Sequence, residues 1–207
     1  MTSLKERYTV GARSLATQSM GGLARSRVTP NALTASGVLL CAAASVLVYF
    51  EYRNEILFYW LGAAVFVLGS VLDILDGALA RLSGKGTPFG AFLDSTTDRM
   101  SEAFMLGAIA LVLMREGREW GVALAFAALA GSFLVSYTRA KAEILGLRGD
   151  VGFGSRAERV VVITTGLVLA PLQDLILPAT IALLVATTWI TVLQRVLAVH
   201  RQLRERE

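Results

Sequence analysis

Little in this chain could build a disulfide framework or a histidine site, because its 207 residues include 1 Cys and 1 His. Cys41 has no intramolecular partner and, inside an apolar run, reads as packing. His200 follows the last apolar run in Val-His-Arg-Gln and reads as an interface marker, neither ligand nor base. Charged residues make up only 17% of the chain, and low-complexity tracts, long linkers and strong repeats are missing. One domain spanning 1–207 is expected. The start lacks the short apolar core and small-residue cleavage site of a signal peptide, so no processing is expected.

What is abundant is apolar: 55% of residues are hydrophobic, and the mean hydropathy is +0.59. Uncharged runs at Ala32–Phe50, Ile56–Leu72, Trp120–Thr138 and Leu175–Gln194 approach the roughly 20 residues a helix needs to cross a bilayer. Ala103–Met114 and Val160–Gln173 are shorter and become spans if their helices continue into flanking polar sequence. The expected fold is an all-α polytopic membrane protein, a six-helix bundle over 29–203. Residues 1–28 set Leu4, Tyr8, Leu15 and Leu23 among Lys5, Arg7, Arg13, Arg25 and Arg27, the pattern of an amphipathic helix lying at the interface. Gly62, Gly69, Gly107, Gly121 and Gly131 read as close-packing positions, and small-residue faces could support a homodimer.

Six spans put both termini on one side, and 17 of the 20 Lys and Arg residues fall there. Arg53, Arg115 and Arg118 remain on the other side, so the crowded face is expected to be cytoplasmic at the plasma membrane. The net charge of +4 then reads as topology and attraction to anionic lipid, with no call for nucleic acid. Trp60 and Trp120 near the outer ends read as interfacial anchors.

Carboxylates interrupt this apolar text in one place. After Leu72 the second run continues as Asp73-Ile-Leu-Asp76-Gly77 and on to about Arg81, putting two aspartates three apart on one helix face. Ser83-Gly-Lys-Gly-Thr-Pro88 reads as a turn. Asp94 and Asp98 follow, four apart on the next helix. Measured back from the turn, the two pairs match in depth to within about one helical turn. Four converging carboxylates repel one another and need shared protons or bound cations. All-oxygen donors favour Mg²⁺, with Mn²⁺ or Ca²⁺ as alternatives. Two such ions could bridge a diphosphate while one carboxylate accepts a proton from an attacking hydroxyl.

The pattern Asp-x2-Asp-Gly-x2-Ala-Arg-x8-Gly-x3-Asp-x3-Asp, from Asp73 to Asp98, resembles the signature of the CDP-alcohol phosphatidyltransferases without a departure. Thr29-Pro30-Asn31-Ala-Leu-Thr34 resembles the family's approach to its first span. The resemblance implies cleavage of a CDP-linked lipid, CMP release and transfer of the phosphatidyl group to an alcohol. Carried over by position, Asp73, Asp76 and Asp94 resemble metal ligands, and Asp98 both a ligand and the general base. Pro30, Asn31, Ala32, Leu33, Gly77, Arg81 and Thr87 would line the CDP-lipid site. Taken singly, Pro30 reads as a helix start, Asn31 as a cap, Gly77 as packing and Thr87 as a turn residue.

Arg139, Arg159 and Arg195 stand on three different spans at one depth and suit a phosphorylated acceptor; the alternative is that they anchor to headgroups. The text from Tyr137 to Arg159 and Ile190–Arg195 is similar to the family's actinobacterial phosphatidylinositol phosphate synthases, which implies inositol phosphate as the acceptor. It departs in the reversed order of Arg139-Ala-Lys141 and in Ala157 where proline is common. Glycerol phosphate is the nearest competitor. A polyprenyl transferase would leave Asp-Gly-x2-Ala-Arg unexplained, and a cation or proton transporter predicts ion flux without a nucleotide product.

Overall fold

The structure is a computed structural model describing residues 29–206 apart from Lys85 and Phe153. The expected interfacial helix over 1–28 lies outside the described residues. Among the described residues six α-helices follow one another: α1 (Pro30–Tyr49), α2 (Glu55–Ser83), α3 (Pro88–Arg115), α4 (Glu119–Ile144), α5 (Arg156–Leu169) and α6 (Ile176–Arg204). Short 3₁₀ turns at Glu51–Arg53 and Ala170–Leu172 complete the order, and no strand occurs among the described residues.

Local chemistry sets the boundaries. Thr29 caps α1 by accepting from the Ala32 amide, with Pro30 in the first turn. The cap is therefore the residue before the proline, and Asn31, expected to cap, already lies inside the helix. Thr87 and Pro88 open α3 in the same way, which makes Thr87 a cap as well as a turn residue. α2 ends at Gly84, whose φ of 64° is the left-handed conformation glycine adopts without a steric penalty. α2 and α3 thus form the hairpin that the carboxylate spacing required.

α1, α2, α4 and α6 are long and apolar enough to cross a membrane, and they hold the four uncharged runs except for Phe50 and Leu175, which flank α1 and α6. Large apolar side chains such as Leu39, Phe126 and Ile144 stand on the outside, 69%, 73% and 75% exposed. A soluble protein rarely shows such a surface; this is a membrane-embedded protein. α3 runs for 28 residues but carries the site's carboxylates, and α5 has only 14.

α1 packs against α2 and α3, α4 against α3 and α6, and α5 against α2 and α6. The closest backbone approach at these glycines is α1 on α2, where a Cβ built on Gly69 would lie 2.8 Å from the Gly37 carbonyl oxygen. Gly62, Gly121 and Gly131 likewise face neighbouring side chains at short range. Gly107 does not: a Cβ there meets nothing within 4 Å, so it faces outward and the expectation of a packing role fails. At the end remote from the aspartates, Arg115 bonds Glu51 and the Tyr49 carbonyl between the Tyr49 and Tyr52 rings. Arg118 there reaches the Asp174 carbonyl.

Candidate metal centre and its two cavities

The Gly37–Gly69 contact brings α1 close to the carboxylate stretch of α2. Asp73 lies one turn beyond Gly69, and the Thr34 hydroxyl of α1 donates to Asp76 Oδ2. From α3, Asp94 completes a group with Asp73 and Asp76 whose ligand oxygens all lie within 4.8 Å of one another. Asp73 and Asp76 are 7% and 2% exposed. Asp76 Oδ1 has no hydrogen-bond partner among the described residues, and Asp94 forms no salt bridge among them. A buried unpartnered carboxylate oxygen beside two further carboxylates is the donor set of a hard divalent cation. The residues fit such an ion.

Asp98 stands beside this group and not within it. Arg156 Nη1 bonds Asp73 Oδ2 and lies 2.5 Å from Asp98 Oδ1, in a contact too poorly aligned to be a hydrogen bond. Asp98 Oδ2 accepts from Arg99 Nη1 at 2.9 Å, and Arg99 Nη2 donates to Ser136 at 2.6 Å. The fourth carboxylate is thus held by two guanidinium groups. Of these, Arg99 directly follows Asp98, and Arg156 is the first residue of α5. Sequence reasoning gave neither a role, because a cation next to a membrane helix reads equally as an anchor.

Two cavities share Asp94 in their walls. The smaller, about 230 Å³, is lined by Pro30, Asn31, Asp76, Gly77, Ala80, Arg81, Thr87 and Gly90 among others. It gathers five of the seven residues expected at the CDP-lipid site; Ala32 and Leu33 lie outside it. Gly77 and Ala80 leave the α2 face without bulk there. The larger cavity, about 700 Å³, is lined by Asp98, Arg99, Ser136, Arg139, Arg156, Arg159 and Arg195 among others. The three expected cations therefore share one space.

Their states differ. Arg139 is exposed and pairs with Glu143 at 2.8 Å. Arg195, 7% exposed, donates to the Val135 and Val151 carbonyls, tying α6 to α4 and to the loop before α5. Arg159 is committed to Glu102 on α3, a buried acid that sequence reasoning passed over. Its position four residues after Asp98, on the same helix face, was the available signal.

Helices in lipid, a hairpin carrying a carboxylate group that fits a divalent cation, and two cavities that share Asp94 define a membrane-embedded, metal-dependent transferase. The chain belongs to the CDP-alcohol phosphatidyltransferase family, whose sequence profile matches residues 27–192. It is 39% identical over 183 residues to the archaetidylinositol phosphate synthase of Pyrococcus horikoshii, covering 87% of this chain and 88% of that one. It is 32% identical over 207 residues to the phosphatidylinositol phosphate synthase of Cutibacterium acnes, covering 95% and 97%. The phosphatidylinositol phosphate synthase of Mycobacterium tuberculosis solved with CDP-DAG bound superposes with a TM-score of 0.78 at 31% identity, over 90% of this chain and 94% of that one. The same enzyme in complex with manganese and citrate gives 0.77 at 32% identity, over 89% and 88%.

Proposed function

We propose that this enzyme transfers the phosphatidyl group of CDP-diacylglycerol to a hydroxyl of inositol phosphate, releasing CMP and forming phosphatidylinositol phosphate. The observation that carries the reading is that Asp94 lines two cavities, the smaller beside the bare face of Gly77 and Ala80, the larger rich in arginine. Asp73, Asp76 and Asp94 would hold Mg²⁺ or Mn²⁺, with Asp98 completing the set for a second ion. A bound divalent cation supplies charge neutralisation for the diphosphate and its leaving group. The nucleotide end enters the smaller cavity, where Gly77 and Ala80 admit it and Arg81 can hold the diphosphate through paired N–H groups. Asp98 takes the proton of the acceptor hydroxyl. The hydroxyl oxygen forms the new bond to the lipid-side phosphorus, and the bond to the bridging oxygen breaks, leaving its electrons on CMP. Arg139, Arg195 and the outer edge of Arg159 attract the acceptor's own phosphate, with Arg156 beside the base.

All six helices cross the membrane, and the chain 1–207 forms one domain. Both termini and the active site face the cytoplasm of the plasma membrane, and two copies associate as a homodimer. The test is CMP release by purified protein with Mg²⁺, comparing inositol phosphate, glycerol phosphate, inositol and serine. Release with inositol phosphate alone is expected. Release with glycerol phosphate instead would replace the acceptor and keep the chemistry. The name of the Pyrococcus relative specifies an archaetidyl lipid, so an ether-linked CDP-lipid belongs in the same comparison.

A further inference from the structure

Glu102 continues the series Asp94, Asp98 along one face of α3, yet it belongs to neither the carboxylate group nor a cavity wall. It is 2% exposed, and its partner Arg159 is 3% exposed. Arg159 Nε meets Oε1 at 2.5 Å and Nη2 meets Oε2 at 3.1 Å. A buried ion pair is a poor source of stability, since apolar residues of similar volume often do as well or better.

The pair has a third arm. Arg159 Nη1 donates to the Gly154 carbonyl. Gly154 has a φ of 119°, a conformation open to little but glycine. Its amide and that of Ser155 both donate to Glu158 Oε2, at 2.6 and 2.7 Å. The turn is therefore gripped at its carbonyl by Arg159 and at its amides by Glu158. Ser155 caps α5, and the next residue is Arg156, which bridges Asp73 and Asp98.

We infer that Glu102 is a positioning residue for the acceptor: through Arg159 and the Gly154 carbonyl it fixes where α5 begins, and so where Arg156 meets Asp98. The inference rests on the reading of the larger cavity as the acceptor site. Without the Glu102 charge, Arg159 becomes an unpaired buried cation, and the solution open to it is to turn toward that cavity, releasing the turn and misplacing a charge. None of the residues that line the smaller cavity, on α1, α2 and the start of α3, makes a hydrogen bond in this chain of contacts.

Steady-state CMP release by E102Q and wild type, with acceptor and CDP-diacylglycerol titrated separately, tests it. The acceptor KM should rise about tenfold in E102Q while the CDP-diacylglycerol KM holds within about twofold, and E102D should recover part of the loss. Equal rises in both KM values, or none, would overturn the inference. Should E102Q fail to fold, E102D, which keeps the charge and shortens the reach to Arg159, should show a smaller split of the same sense, and no split in E102D would then overturn the inference. A wild type that uses only an uncharged alcohol refutes the phosphate-pocket reading, whereas the KM split measured on that alcohol still decides the role of Glu102.

Discussion

Replacing Gly69 by alanine should impair catalysis through packing alone, since Gly69 is neither a carboxylate nor a cavity residue. The added methyl would lie 2.8 Å from the Gly37 carbonyl oxygen, 2.8 Å from Cys41 Sγ and 3.2 Å from the Cys41 amide nitrogen. The closest contacts fall short of ordinary van der Waals separation by about half an ångström, and two of the three atoms are backbone, so α1 and α2 must part. Overpacking of this kind costs about 1–3 kcal/mol, offset by up to about 1 kcal/mol of helix propensity gained over glycine. A net loss of about 1–2 kcal/mol lowers the melting temperature by about 2–8 °C in a chain of this size. Activity should suffer more. The same displacement separates Thr34 from Asp76 and shifts Asp73, and a misplacement approaching 1 Å can cost about a hundredfold. Gly107→Ala, with open space around the new methyl, is the matched control and should melt no lower than wild type. CMP release and thermal melts in detergent read both variants. Wild-type activity in G69A, or equal damage in G107A, would refute the claim that this contact sets the carboxylate geometry.

Asp98→Asn should lower kcat by about 10²–10⁴-fold while Mn²⁺ binding to the Asp73–Asp76–Asp94 group, followed by metal-induced thermal stabilisation, persists. Thr34→Val removes the hydroxyl that donates to Asp76 with little change of shape; metal affinity should fall about tenfold or more, and an unchanged titration would exclude Thr34 as a support of the site. Chelation should abolish CMP release, with Mg²⁺ or Mn²⁺ restoring it, whereas activity surviving exhaustive chelation would contradict the metal reading. Arg115→Met, at the opposite end, leaves Glu51 without its cation and should cost about 1–3 kcal/mol of stability with kcat unaltered.

The six helices were legible as apolar runs, and the four longest runs are the four helices that meet the length and hydropathy of a span. The carboxylate hairpin was legible too, because spacings of three and four put side chains on one helix face and a turn with glycine folds the two faces together. Capping was misjudged at Asn31, since proline in the first turn moves the cap one residue earlier. Gly107 was misjudged because glycine in an apolar run carries no mark of the side it faces.

The sequence by itself determined the solvent, the six helices of the described residues and the identity of the carboxylates, since each depends on local composition and on distances along one chain. Only the tertiary structure decided which charges answer one another. Arg156 reaches Asp73 across 83 residues and Arg159 reaches Glu102 across 57, on helices whose relative rotation depends on packing at glycine contacts. An arginine meant for a substrate and one held by a buried acid are the same letter in the chain. They part company only when the fold supplies, or withholds, a partner.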